Sequence, residues 1–404
     1  MEIWSLEFFF LCLGVYVLLS AWAAPLWRKL CLLGASLYFL QSAIYRLDPA
    51  FFSNRLVLLA AFLTWGYVGY DICLRGRKRA YLALAFWPWF ALYIALYLLI
   101  TKSGALSGVL PESVLRHFVF VVGTSYILLR QLHVCFDVRN GMLERVDPLT
   151  YITYLLSFHT LLAGPIMRYQ DFSHQIESGR ASEGLTEKLK SLNRIATGLV
   201  KKFVVAAIIF EAIQSRQSGW GVMKDPYDFW IAFHFFAIYE YMDFSGYCDI
   251  MIGIGELIGV RVPENFNRPY FARNMIDFWS RWHITLADWI HSYVFNPVSI
   301  RLARVLPQRR WTMLLVGFTT YTVAFMIVGL WHNISWGFFL WGLAQGVALG
   351  VVKVYDSLLR AHLSRKGFKK YLNNKVINVI STLVTVEYFI CSVGFVLMEM
   401  WGIL

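Results

Sequence analysis

WTMLLVGFTTYTVAFMIVGLWHNISWGFFLWGLAQGVALGVVKVYD, residues 311–356, decides how this chain folds. No Asp, Glu, Lys or Arg lies between Arg310 and Lys353. One membrane-crossing helix needs about 20 apolar residues, so the run is long enough for two. A short polar break, Trp331-His-Asn-Ile-Ser335, interrupts it. The stretch reads as two spanning helices, 311–331 and 335–356, joined by a turn that carries His332.

The rest of the chain repeats the pattern. Of its 404 residues, 58% are hydrophobic, 17% aromatic and 15% charged. A soluble domain carries about 25% charged residues. Further candidate helices are 3–24, 30–45, 55–73, 80–101, 113–136, 149–163, 190–214, 227–259, 276–300 and 376–401. No stretch resembles a soluble domain. The expectation is one all-α integral membrane domain over residues 1–404, a polytopic helical bundle in a lipid bilayer. The segment 3–24 lacks a basic leader and a small-residue cleavage site, so it reads as a retained first helix.

Charge sets the topology. Arg75-Gly-Arg-Lys-Arg79 is expected in the cytoplasm, and so is Arg360–Lys370 with its five basic residues. Counting back across three helices puts the N-terminus outside and Arg28 and Lys29 inside. The net charge of +12 comes from such short inter-helix segments, not from a basic groove, so no nucleic acid is expected. The six cysteines form no CxxC pair, which argues against a zinc site and a disulfide framework. GxSxG, Walker A, GxGxxG and HExxH are absent, which removes the common hydrolase, NTPase and zinc-protease readings.

Three segments are not ordinary spans. Residues 165–189 are polar and follow Gly164-Pro165. Residues 261–275, RVPENFNRPYFARNM, hold two prolines and three asparagines and read as a loop. On a helical wheel, 276–300 places Trp279, Trp282, His283, Leu286, Trp289, Ile290 and Tyr293 on one side. Arg281, Thr285, Asp288 and Ser292 fall on the other. That pattern predicts an amphipathic helix in the interface or along a polar passage. The helix 227–259 carries Glu240 and Asp243 on one face and Asp249 and Glu256 on the opposite one. Its glycines, Gly255-x-x-x-Gly259 among them, suggest close helix packing.

A charge at bilayer depth costs about 2.5–3.5 kcal/mol, so intramembrane polar groups need an explanation. His332 can take a proton near neutral pH and act as a general base. The competing reading is a histidine that caps a helix end. His283 falls on the tryptophan face, where the competing reading is an aromatic-stacked interface residue. Asp243 and Asp249 read as ion-pair partners, with Arg268, Arg273 and Arg281 available nearby. Arg168 reads as an interfacial arginine that can also meet an anionic donor. His291, on the same helix as His283, is displaced from that face and reads as interfacial, and His117, His133, His159, His174, His234 and His362 show no helpful spacing.

Three stretches together resemble the membrane-bound O-acyltransferase (MBOAT) superfamily. They are Tyr241-Met-Asp-Phe-Ser-Gly-Tyr-Cys-Asp249, Asn265-Phe-Asn-Arg-Pro-Tyr270 leading into Asp277-Phe-Trp-Ser-Arg-Trp-His283, and Gly329-Leu-Trp-His-Asn-Ile-Ser-Trp336. Ala163-Gly-Pro-Ile166-x-Arg168 is similar too, and Val138-Arg-Asn-Gly141 more weakly. The set covers about residues 120–350. It looks most like the bacterial branch of alginate O-acetylases and D-alanyl transfer proteins of teichoic acid modification. The resemblance implies about eleven spanning helices around a polar tunnel, with His332 as the catalytic histidine and His283 as the second. It further implies an acyl thioester donor on the cytoplasmic side, acetyl-CoA or an acyl carrier protein, and no bound cofactor or metal. The acceptor is then a hydroxyl of a surface polymer or of a secreted partner protein. Within the matching stretches Asn333, Asn265, Arg281 and Trp282 are the expected substrate-binding residues, while Asp243 and Asp249 are structural. Rival readings are D-alanyl transfer from a carrier protein, a transporter of a polymer precursor, and an assembly scaffold.

Overall fold

Every regular element among the described residues is helical, apart from one isolated β-bridge between Phe266 and Trp282. A computed structural model of the chain describes residues 5–22, 24–47, 52–102, 123–179, 184–219 and 226–403. The chain divides into two compact units, Met1–Ala196 with Asp249–Pro263, and Thr197–Cys248 with Glu264–Leu404.

The first unit begins with α1 (Leu6–Ala21), α2 (Pro25–Leu47), α3 (Phe52–Gly76) and α4 (Ala80–Thr101). It continues with α5 (Thr124–Arg139), α6 (Pro148–Leu156), α7 (Tyr169–Ser178) and most of α8 (Leu185–Val200). The expected helix 113–136 begins outside the described residues, as does His117. Asp147 starts α6 by accepting the Thr150 N–H at 2.9 Å, and Pro148 fills the first helical position. Residues 149–163 are not one helix, because α6 stops at Leu156 and a tight turn follows over Phe158–Thr160.

The second unit holds α9 (Ala207–Gly219), most of α10 (Pro226–Leu257), α11 (Met275–Trp279), α12 (Ile284–Ile290) and α13 (Asn296–Val305). It ends with α14 (Arg310–His332), α15 (Trp336–His362), α16 (Arg365–Asn373) and α17 (Lys375–Met400). Two π-helical turns, Lys201–Ala206 and His291–Phe295, interrupt the α-helical ladder. The division between the units falls within α8 and α10.

The opening stretch of sequence is a helical hairpin. A Cβ added at Gly329 would lie 2.2 Å from the Phe338 carbonyl oxygen, and one at Gly342 would lie 2.4 Å from that of Phe325. The backbones of α14 and α15 therefore touch, the close approach that small residues permit between helices in a membrane. Against α15 lies α17, joined by a hydrogen bond from Gln345 to Ser392 (2.5 Å) and one from the Tyr388 hydroxyl to the Ala344 carbonyl (2.6 Å). The opposite face of α17, with Val376, Ile380, Leu383 and Val384, is exposed and suits lipid.

Five described helices are long and apolar enough to cross a membrane: Ser53–Gly76, Tyr81–Thr101, Arg310–His332, Trp336–His362 and Lys375–Met400. The figure of about eleven goes beyond these. Helices α2 and α10 are as long but carry Arg28, Lys29 and Arg46, or Asp228, Glu240, Asp243, Asp249 and Glu256.

Gly255 and Gly259 act otherwise than as the small-residue packing pair expected of them. Gly259 sits at φ 74° just past α10, and Val260 N–H bonds back to the Gly255 carbonyl at 2.8 Å. The pair Gly255 and Gly259 thus ends the helix in a local cap. Fully buried Arg28 donates to the Gly259 carbonyl (3.0 Å) at this negative helix end.

Candidate active site

The segment 264–284 is not helical enough to satisfy its own backbone, so it pairs with itself. Asn267 N–H donates to the Arg281 carbonyl at 2.9 Å, and Ile284 N–H to the Asn265 carbonyl at 3.0 Å. Phe266 and Trp282 face each other between these bonds. The chain turns here through two non-glycine residues with positive φ, Arg268 (45°) and His283 (44°). Such conformations cost about 1–3 kcal/mol each and cluster at functional sites.

Residues 276–300 depart from the amphipathic helix expected of them. No continuous helix runs through them; α11 ends at Trp279, and His283 is the left-handed cap of α12. The sidedness largely survives the break. Trp279, Trp282, His283, Leu286, Trp289, Ile290 and Tyr293 are all buried, and Asp288 is exposed. Thr285 departs from the expectation, being buried as well.

Fully buried Asn265 ties the turn together. Its Oδ1 accepts from Thr285 N–H (3.1 Å) and Thr285 Oγ1 (2.9 Å), and it meets His283 Nδ1 at 3.2 Å. An atom that accepts an amide N–H is the side-chain oxygen, so Nδ1 of His283 must carry the hydrogen. Nε2 is left with its lone pair. Asn265 Nδ2 donates to the Cys248 sulfur at 3.3 Å, and the Phe244 ring stands edge-on to the imidazole at 4.8 Å. Burial first, and the neighbouring His332 second, push the His283 imidazole down to about 3. It is neutral at physiological pH.

His332 closes α14 from a different setting. It is exposed, its ring stacked 5.9 Å from Phe338 and edge-on to Trp341 at 5.7 Å. Trp341 meets Trp279 at 6.0 Å, and Trp279 Nε1 donates to Gln345 at 3.1 Å. Asn333 is exposed beside it. The Asn333 backbone N–H is engaged with the Gly329 carbonyl (3.1 Å), so the donor this residue can offer a ligand is its side-chain amide.

The other expected site residues are held as follows. Arg281 pairs with Asp277 at 2.7 Å. Trp282 packs among Tyr241, Phe266, Tyr270, Phe278 and Phe389, with ring centroids 5.1 to 6.3 Å away. The two aspartates do form ion pairs, but not with Arg268, Arg273 or Arg281. Asp243 pairs with Lys202, and Asp249 with Arg194 at 3.2 Å. Both partners are distant in sequence, which local inspection could not reach. Among the described residues, no group of three or more His, Cys, Asp and Glu side chains is placed to hold a metal ion.

The first unit contains polar groups that the sequence reading passed over. His133 and Asp137, one turn apart on α5, are both buried, with Nδ1 to Oδ2 at 3.4 Å. His133 Nε2 accepts the Tyr169 N–H (3.0 Å), and Asp137 accepts from Gln170 (2.7 Å), so the pair anchors the start of α7 behind Arg168. Arg168 itself is exposed. Arg130, also buried, donates to the carbonyls of Tyr154 (2.8 Å), Leu155 (2.9 Å) and Thr160 (2.7 Å) and so serves the open end of α6. The i, i+4 spacing of His133 and Asp137 was the available signal.

Apolar spanning helices and a histidine pair in the second unit, one buried and one exposed, define a multi-pass helical membrane protein with a polar site. Residues 72–394 match MBOAT, the membrane-bound O-acyltransferase family, and the chain belongs to it. It is 24% identical over 292 residues to a teichoic acid D-alanyltransferase of Bacillus subtilis, covering 70% of this chain and 69% of that one. To a probable alginate O-acetylase of Pseudomonas fluorescens it is 27% identical over 362 residues, 86% of this chain and 65% of the relative. A peptidoglycan O-acetyltransferase of Helicobacter pylori is 31% identical over 217 residues, 52% of this chain and 38% of the relative. The chain thus spans just under two thirds of that alginate relative and well under half of the peptidoglycan one.

Proposed function

We propose that the chain works as one acyltransferase domain. It moves an acyl group, acetyl foremost, from a cytoplasmic thioester to a hydroxyl in the cell-surface or exopolysaccharide pathway. The donor is acetyl-CoA or an acyl carrier protein. The acceptor hydroxyl belongs to a surface polymer or to a secreted partner protein.

The observation that carries this reading is the Asn265–His283 bond. It fixes the hydrogen on Nδ1 and leaves Nε2 as a neutral acceptor, close enough to His332 for the two imidazoles to influence each other. In the proposed step His332 removes the acceptor hydroxyl proton while that oxygen attacks the thioester carbonyl carbon. The C–O bond forms, the C–S bond breaks, and the leaving thiolate takes from His332 the proton that the hydroxyl gave up. His283 Nε2 accepts a hydrogen bond from a second O–H or N–H of the acceptor molecule and so holds it in place, because the one hydrogen of the reacting hydroxyl goes to His332. The Asn333 side chain donates to the carbonyl oxygen as charge develops on it. Asn265 is a positioning residue. Arg281, on the outer side of the turn, offers its remaining donors to an anionic donor, and Trp282 walls the site.

Purified protein given radiolabelled acetyl thioester and a soluble hydroxyl acceptor tests this. Transfer that disappears in His332→Ala supports it; full activity in that variant removes the central step. The likeness to a teichoic acid D-alanyltransferase supports a second reading, D-alanyl transfer from a carrier protein. Dependence on an acidic carrier, lost at high salt, would favour that one.

A further inference from the structure

Helix α15 begins without a cap of its own. Ser335 occupies the N-cap position in extended backbone (φ −157°, ψ 163°), where a serine hydroxyl ordinarily accepts an amide of the first turn. Here the hydroxyl makes no such bond. Its oxygen is buried and has no hydrogen-bond partner among the described residues. The Gly337 N–H donates instead to Oε2 of Glu399, from the last turn of α17. A Cβ added at Gly337 would lie 2.7 Å from the Phe395 carbonyl oxygen, so the two helix ends touch along their backbones.

Glu399 stands where its own helix disfavours it. A carboxylate is unfavourable in a last turn, beside the negative end of a helix, and favourable at a helix start. The local cost in α17 is offset at the start of α15, and that start carries the proposed base. Only Asn333, Ile334 and Ser335 separate His332 from α15. A shift of the α15 start therefore moves the imidazole.

The same helix reaches the other histidine. Phe389 of α17 packs on Trp282 (5.1 Å) and Phe278 (4.2 Å), and Trp282 directly precedes His283. Ser392, nearer Glu399, accepts from Gln345, which accepts from Trp279 at 3.1 Å. From Phe389 to Glu399 the helix rises roughly 15 Å at about 1.5 Å per residue. One rigid rod thus touches both histidine seats.

We propose that Glu399 is a positioning residue for acyl transfer. As the cap of α15 it holds the hairpin turn, and with it His332, in register with His283. The inference rests on the acyltransferase reading and adds a residue that lies beyond the 72–394 family match.

The test is steady-state kinetics with purified full-length protein and labelled acetyl thioester. Glu399→Ala should lower kcat by about ten- to a hundredfold, the scale of a small displacement of a reacting group, with donor KM within about twofold. Glu399→Gln keeps an oxygen acceptor for the Gly337 N–H and should retain kcat within about threefold. Adding Ser335→Asp to Glu399→Ala places a carboxylate cap on the helix start itself and should restore kcat to within about threefold of wild type. Ser335→Ala alone should leave kcat unchanged, since that hydroxyl caps nothing. Full kcat in Glu399→Ala overturns the proposal. So does a loss that neither glutamine nor the aspartate cap recovers, because that pattern marks a purely structural role. If Glu399→Ala does not fold, the double variant decides in its place: near-wild-type kcat supports the cap, and lost activity overturns it.

Hydrogen exchange read by mass spectrometry does not depend on turnover. The peptide 332–340 should exchange about tenfold faster in Glu399→Ala, the change that loss of one cap implies. Glu399→Gln and the double variant should exchange at the wild-type rate. Unchanged exchange in Glu399→Ala overturns the assignment. If the wild type transfers from no thioester, the acyltransferase reading falls, while exchange still decides whether Glu399 holds the turn.

Discussion

The two histidines are held by opposite means. His332 ends a hairpin whose helices touch backbone to backbone through Gly329 and Gly342. Past their first turns both helices satisfy their own amides, and the imidazole stands beside the rings of Phe338 and Trp341. His283 sits on a bent segment that has lost its helical partners. There Asn265, Thr285 and two backbone bonds replace the missing ladder and also fix the tautomer. A packed hairpin can thus carry a side chain at its exposed end without bending either helix. A bend at the same site requires a full set of hydrogen bonds, because an unmet buried donor costs about 1–3 kcal/mol.

The largest effect expected is on chemistry. His332→Ala should lower acyl transfer by about 10²–10⁴-fold, the usual contribution of a general base, with melting in detergent nearly unchanged. A variant that melts early instead would show that His332 is part of the scaffold. Next comes the packing seat itself. Gly329→Ala places a methyl group on the Phe338 carbonyl, which backbone cannot accommodate without separating the hairpin. A loss of about 1–3 kcal/mol or more is expected, read as a fall in Tm, together with reduced transfer. The hydrogen-bonded seat should respond differently. Asn265→Ala leaves the His283 and Thr285 donors unmet, at a cost of about 1–3 kcal/mol. It also releases the tautomer, so the pH profile of kcat should move as well as Tm.

The pH dependence separates the seats again. His283 is held near 3 in the fold, against about 6.5 when exposed. A lowered folded value means the unfolded chain binds the proton first. Stability from this group is complete above about pH 6.5 and declines as pH falls toward 3. Melting scans across that range should slope downward toward acid, and His283→Gln should flatten the slope. An unchanged slope would mean that His283 is not the group responsible.

The hairpin was legible because two uncharged runs and one polar break leave few alternatives in a membrane. The bend was not. Ser280, Arg281 and Trp282 include no glycine or proline, so nothing in the local sequence marks the end of α11. A wheel drawn through 276–300 assumes the helix it is meant to test. It still found the buried face, since Trp279, Leu286 and Ile290 keep one sidedness through the break. The partners of Asp243 and Asp249 lie on the π-helical turn Lys201–Ala206 and on α8, some 40 to 55 residues earlier, and only tertiary structure brings each pair together. His133 and Asp137 were readable from i, i+4 spacing, yet they sit in an element that looked like an ordinary apolar span.

The smallest effect concerns the outer side of the bend. Arg281 and Asp277 are each about a quarter to a third exposed, and they sit one turn apart. Such a pair contributes about 0–1 kcal/mol, so Arg281→Ala should barely change Tm. Its value lies in separating support from recognition. If Arg281 only props the bend, Asp277→Asn and Arg281→Ala should act alike and leave KM for the donor unchanged. If Arg281 meets the anionic part of a coenzyme or carrier, Arg281→Ala should raise donor KM several-fold with little change in kcat. Asp277→Asn, which frees the guanidinium, should leave that KM the same or lower it. Equal KM values in both variants would confine Arg281 to the scaffold and leave the donor's charge to be met elsewhere.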